Sequence, residues 1–292
     1  MTVSLNKTYQ ILGVTRQSFH EWLDRQSRHC EMEAQLVMLV RKIRVDHPRM
    51  SARKMYRYIN PKGVGRDKFI QLCMDNGLAV EVKRNPRKTT DSSGVKRFPN
   101  LVLDLEVVRS HQVWVSDITY FEIASRFYYL TFIMDLYSRF IVGYSVAKDL
   151  RTTSTTLPAL KRAISAYSPE SGTILHSDGG GQYYAKAFIK ATEQFRNSMT
   201  QDVAQNNHAE RLNGTIKNDY LSCYMPTTFK DLQSQSKRAV WHYNYTRPHQ
   251  SLNYQTPAQV LHGNDIIKTT FINLDNQLTN PVYLSSKTVR VI

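Results

Sequence analysis

Apolar positions recur every three to four residues before residue 80, whereas beyond residue 112 they alternate and favour β-branched and aromatic side chains. The first spacing belongs to helices and the second to strands. Residues 112–123 (with Val113, Val115, Ile118 and Tyr120), 127–134 and 140–146 are three successive strand candidates. A helix fits 151–167, with Leu157, Leu160 and Ile164 inward. A short buried strand at 173–175, a helix at 184–195, a short strand at 198–200 and a helix at 208–224 follow. One more helix spans 229–245, and a short one follows Thr256-Pro257. The order β-β-β-α-β-α-β-α predicts an α/β fold, a mixed sheet flanked by helices.

The front of the chain is all helical. Residues 4–25 read as two short helices around Gly13, with Thr15 capping the second: a helix-turn-helix that would show Arg16, Gln17 and His20 to a DNA groove. A second unit starts with Leu36, Val37, Leu39, Val40 and Ile43 and breaks at His47-Pro48. Ser51 caps the next helix, which carries Met55 and Tyr58 and ends at Asn60-Pro61. Gly65-Arg66-Asp67 opens a third, with Phe69, Ile70, Leu72 and Cys73 inward, stopping at Asn76-Gly77. Residues 83–98 have few apolar groups and many breakers, and read as a linker. Lys83, Arg84, Arg87, Lys88, Lys96 and Arg97 would let it track a phosphate backbone. The expected units are 1–30, 31–82, a basic linker 83–105, an α/β core 106–262 and a tail 263–292.

Charge sharpens this division. The formal net charge is +15, and residues 1–100 hold 20 Lys/Arg against 9 Asp/Glu. A basic front end attracts polyanions, because each neutralised phosphate releases counterions. No run of about 18 apolar residues suggests a membrane span, and the first residues lack the apolar stretch of a secretory signal. A cytoplasmic protein with no membrane partner is expected. The three cysteines are far apart and suggest neither a disulfide framework nor a zinc site.

Three acids fall where the layout makes them meaningful. Asp117 lies within the first strand, and Asp178 directly follows the short buried one, beside Gly179, Gly180 and Gly181. Glu210 sits on a helix where it shares one side with Asn213, Gly214 and Lys217, leaving Leu212, Ile216, Tyr220 and Cys223 for an apolar side. Carboxylates from two strands and a helix suit hard divalent cations, which favour oxygen ligands. Asp202 is the nearby alternative to Glu210.

The motifs Trp114-x-x-Asp117-Ile-Thr-Tyr, Asp135-x-x-Ser138-Arg139 and His176-Ser177-Asp178-x-Gly180-x-Gln182-Tyr183 resemble the retroviral-integrase-type catalytic core. Ser198-Met199, Glu210-Arg-x-Asn213-Gly-x-Ile216-Lys217 and Tyr243-Asn244-x-x-Arg247-Pro248-His249 extend the likeness. More narrowly, the chain resembles the second-frame product of IS-three family insertion-sequence transposases, over about residues 34–262. The resemblance implies a ribonuclease-H-like core and an Asp-Asp-Glu triad of Asp117, Asp178 and Glu210 holding two Mg²⁺ or Mn²⁺ ions. It implies cleavage and strand transfer of double-stranded DNA, the element's terminal inverted repeats and a target, without a covalent protein–DNA intermediate. It also implies a homo-oligomer on DNA and a possible first-frame partner protein.

Lys217, with Asn213 and Arg211 beside the triad and Arg66 on the second helical unit, are further expected DNA contacts. Asp135 is expected to hold Arg139 or a turn, and His176 and His249 to be structural. Arg247-Pro248-His249 either packs on the core or touches DNA. A ribonuclease-H-like nuclease that cuts without joining, and a DNA-binding regulator with a dead core, are the rival readings.

Overall fold

The computed structural model describes residues 13–80, 98–200 and 206–263, together with Lys7, Tyr9 and Ile11. Three helices come first: α1 (Arg16–Asp46), α2 (Ala52–Ile59) and α3 (Arg66–Asp75). They share a small core in which Leu36, Val40, Met55, Ile59, Phe69 and Cys73 are buried. The caps are those the sequence announces. Thr15 accepts from the Ser18 N–H, Ser51 accepts from the Lys54 N–H, and Asn60 ends α2 in the left-handed region.

One expectation fails here. The second helix of the helix-turn-helix does not stop after Leu23, nor does a unit boundary fall at residue 30. A single helix of 31 residues runs through both. Residues 24–35 contain no proline or glycine, and His29 pairs with Glu33 one turn on at 3.3 Å, so nothing terminates the helix. Of the first helix of that pair, Tyr9 packs on Phe19 with ring centroids 5.4 Å apart, and most of the rest lies outside the described residues.

The sheet follows: β1 (Val113–Ile123), β2 (Arg126–Asp135), β3 (Ile141–Ala147), β4 (Ile174–Ser177) and β5 (Arg196–Met199), in spatial order β3-β2-β1-β4-β5. The first three are antiparallel neighbours, whereas β4 runs parallel to β1 and β5 parallel to β4. This is a ribonuclease-H-like mixed sheet. On one face lie α4 (Thr156–Tyr167) and α5 (Lys186–Ala191). The other face carries a helix that begins as α6 (Asn207–Gly214), passes through a π-helical segment at Thr215–Leu221 and ends at Ser222–Tyr224. It packs there with α7 (Phe229–Tyr245); a short α8 (Pro257–His262) with a full capping box closes the described chain.

Period-two alternation decides which core each strand residue joins. Val113 and Val115 join Leu130, Phe132 and Met134 beneath α6 and α7, while Trp114 joins Ile133 and Val142 beneath α4 and α5. Each such fully buried side chain contributes about 1.5–3 kcal/mol. The π segment shifts the apolar face of its helix. Tyr220 and Leu221 are fully buried, whereas Cys223, expected on that face, is only half-buried. One extra residue per turn moves the stripe round by a position, which helical spacing in the sequence does not reveal. The expected helices at 151–167 and 184–195 are shorter than their patterns suggest, each starting late.

Asp135 does hold a turn. Fully buried, it accepts from the His111 N–H at 2.6 Å and from the Ser138 N–H and hydroxyl at 2.7 and 2.6 Å. Trp114 and Tyr243 are core residues, and Arg247 is buried in an ion pair with Asp219 at 2.6 Å, so its segment packs on the core. Gly143 on β3 faces α4 so closely that a Cβ would run into the Ala159 carbonyl and lie 2.8 Å from the Ala163 Cβ. Gly143→Ala should therefore destabilise the fold by about 1–3 kcal/mol or more, read as a lower urea midpoint at unchanged slope.

Candidate active site

Strand pairing sets Asp117 beside Asp178, and the helix α6 carries Glu210 near enough for its charge to act on Asp117. In the parallel pairing Ser116 lies opposite Ser177, so Asp117 and Asp178 are the next residues on neighbouring strands. By parity along their strands both belong to the sheet face covered by α6, the helix that carries Glu210. β1 is fully buried through Ser116 and partly exposed from Asp117 onward. Asp117 thus sits where the core gives way to solvent.

Local contacts hold each carboxylate. Asp117 accepts from the Ile118 N–H at 2.8 Å and from the Asn213 amide at 2.8 Å. Asp178 accepts from the Gly180 N–H at 3.2 Å. A Cβ on Gly180 would meet Asp178 Oδ1 and Gln182 Oε1 at 3.1 Å, so glycine leaves room for the carboxylate to fold over the loop. Beneath the pair, the Ser116 hydroxyl bonds the fully enclosed Tyr183 hydroxyl at 2.9 Å, and the Asn206 amide donates to the Ser116 carbonyl at 3.2 Å.

Asp117 feels both burial and the other two acids. Burial, then the charge on Asp178, pushes Asp117 up to about 7, and Glu210 adds to the rise against the two hydrogen bonds. Burial also raises Asp178. Lys217 lies over the Tyr120 ring at 4.7 Å, lowered by burial and raised by Asp117. Glu210 is exposed, and among the described residues no three His, Cys, Asp or Glu side chains converge as a ready metal-holding group. The donor chemistry nevertheless fits a hard divalent cation. The donors are carboxylate oxygens, and two of the acids are held above their ordinary range, a penalty that added positive charge would relieve.

The expected DNA contacts divide. Arg211, Arg16, Gln17 and Arg66 are exposed, Gln17 donating to Glu21 at 3.0 Å and Arg66 pairing with Asp67 at 2.8 Å. Asn213 is buried and donates its amide to Asp117, so here it orients a carboxylate. Lys83, Arg84, Arg87 and Lys88, and the alternative acid Asp202, lie outside the described residues. Sequence reasoning missed Ser116, Tyr120 and Asn206 as parts of the site. The first two lie in the quoted strand motif beside Asp117, and alternation alone places them on the opposite face, so only tertiary contacts tie them to the site. His176 is structural, its Nδ1 2.9 Å from the Ser198 hydroxyl.

Comparison with known proteins locates the same stretch. Residues 108–204 match the integrase core domain family, and residues 192–257 match a second integrase core domain family. The chain is 30% identical over 262 residues, 85% of its own length and 95% of the relative's, to the insertion element IS600 uncharacterized 31 kDa protein of Shigella sonnei. It is 29% identical, over 73% of itself and 74% of the relative, to the transposase for insertion sequence element IS629 of the same species. Among solved structures it is similar to the HTLV-2 integrase catalytic core domain in complex with magnesium, at 22% identity and a TM-score of 0.44, over 52% of this chain and 97% of that one.

Asp117 carries a pKa in the fold above its ordinary 3.8. Its contribution to stability is therefore complete below about pH 4 and is lost as pH rises toward about 7. In metal-free buffer Asp117→Asn should melt higher than the parent at pH 8, by roughly 2–4 °C for each kcal/mol of repulsion removed, with little difference at pH 4. Asn213→Ala deletes a hydrogen bond to the charged carboxylate. NMR titration should find Asp117 above its parent value; an unchanged or lower one would mean the amide does not hold it.

Proposed function

Since the chain belongs to the insertion-sequence transposases with an integrase core domain, we propose that it cleaves the terminal inverted repeats of its element and joins them to target DNA at Asp117, Asp178 and Glu210. The observation that carries this reading is the loading of Asp117, which sits in register beside Asp178 and is raised to about 7 by burial and by the charges of Asp178 and Glu210. Two acids packed in register at the margin of a core are costly unless a cation or a proton shares them.

The three carboxylates would hold the divalent ions. When bound, a pair of magnesium or manganese ions would supply Lewis acidity to an in-line displacement at phosphorus. The protein's own part is orientation. Asn213 and the Ile118 N–H aim Asp117, and the Gly180 N–H aims Asp178. Lys217, kept against the Tyr120 ring, presents its ammonium beside Asp117, where a scissile phosphate would need a positive neighbour. Glu210 stands on the exposed side and closes the set from the helix.

No side chain need act as nucleophile. Water attacks the phosphodiester at the element's end, the P–O3′ bond breaks, and the strand leaves with a free 3′-hydroxyl. That hydroxyl then attacks a target phosphodiester, one P–O bond forming as another breaks. The basic helical unit ahead of the sheet, with exposed Arg53, Arg57 and Lys62, supplies the surface that holds the ends.

Labelled end DNA and a target plasmid test the assignment with magnesium present. Asp117→Asn, Asp178→Asn and Glu210→Gln should each lower cleavage and joining by more than about a thousandfold while leaving end binding intact. Joining that survives Asp117→Asn would refute the triad. Cuts without joined product from the parent would assign a nuclease, and end binding without magnesium-dependent turnover would assign a regulator.

A further inference from the structure

The helical unit is joined to the sheet in two ways: along the chain through residues 81–97, and by a buried polar contact far from that junction. At the end of α1, His47 is 2% exposed and uses both ring nitrogens on the core. Its Nδ1 lies 3.0 Å from the Tyr220 hydroxyl and its Nε2 2.8 Å from the Thr246 hydroxyl. Next to it, Asp46 accepts from Arg238 at 2.7 Å and lies 3.3 Å from the His242 ring, and its carbonyl accepts from the Tyr224 hydroxyl at 2.7 Å.

The bonds of His47 to Tyr220 and Thr246 are specific in geometry, and leaving either unmade would strand a buried polar group at a cost of about 1–3 kcal/mol, whereas the Asp46–Arg238 pair is partly exposed. Burial holds His47 well below its ordinary range, helped by the neighbouring His242 and Arg247, with Asp46 opposing and Arg238 reinforcing. The imidazole is neutral, so the contact does not open with ordinary changes of pH. The helix it grips is the one that carries the candidate acid. Tyr220 and Tyr224 follow Glu210 and Lys217 without a break, through the π segment.

We propose that His47 and Asp46 are specificity-determining residues that fix the helical unit on the catalytic core, so that the distance from recognised end sequence to cut phosphodiester is set by this contact. The inference rests on the reading that the helical unit binds the ends. Were the covalent connection the sole link, its 17 residues would let the unit range over roughly 20 Å. That distance spans about six base pairs of DNA, and cuts would scatter accordingly. A docked unit instead carries the end to one place.

The test maps cut positions on labelled end DNA with the full chain, and measures end affinity beside them. Tyr220→Phe, which keeps the ring and removes one hydroxyl, and His47→Ala should lower the share of cuts at the principal phosphodiester by roughly fivefold, at unchanged end affinity. Inserting six Gly/Ser residues between residues 88 and 89 should leave the cut position where it is. Sharp cutting in the properly folded Tyr220→Phe and His47→Ala proteins, or a cut displaced by the insertion, would overturn the proposal. Arg53→Ala combined with Lys62→Ala separates the two ideas. Weakened end binding supports the reading beneath the proposal. Unchanged binding removes that reading, whatever the cut positions show.

Discussion

Two carboxylates set side by side by parallel strand pairing, at the point where a core meets solvent, are the constraint on which the rest of this structure turns. Ser116 opposite Ser177 leaves Asp117 and Asp178 no choice but to be neighbours. Like charges at close range in a partly desolvated site raise each other's affinity for protons, and Asp117 reaches about 7. The surroundings relieve this strain only in part, and they organise it. Ile118, Gly180 and Asn213 donate hydrogen bonds that point the oxygens, and Lys217 is the cation placed to answer Asp117. A site loaded in this way is poised for positive charge, as polynucleotidyl transfer requires.

The polar contact between the helical unit and the core follows a different logic. Buried histidine, tyrosine and threonine contribute less net stability than apolar groups of equal volume, but they hold only one arrangement. An apolar surface between two units would tolerate sliding. Both ring nitrogens of His47 are engaged, and Asp46 meets Arg238, so a shift of even a few ångströms leaves several groups unmatched. Stability is exchanged for register at the one interface where register bears on which phosphodiester is reached.

Much of this was legible in order along the chain. The strand runs at 112–146, the caps Thr15 and Ser51, the breaks at His47-Pro48 and Asn60-Pro61, and the triad in its motifs all depend on neighbours within a few residues. The errors have one cause. The long α1 was cut in two because the middle of it lacks an apolar stripe, yet helical continuity needs only the absence of breakers and a few i,i+4 pairs. Cys223 was assigned to the core because a π segment cannot be seen in residue spacing. The bond from Asn213 to Asp117 went unread because its helix face was known but its partner on β1 was not.

By itself the sequence determined most of the elements, their order and the family, and it singled out three candidate acids, because periodicity, capping chemistry and motif spacing act locally. Tertiary structure alone decided that Asn213 serves Asp117, that burial and Asp178 lift Asp117 to about 7, and that α1 ends on the core through His47. Each of these depends on the distance between groups remote along the chain, and on how much water the packed helices leave between them.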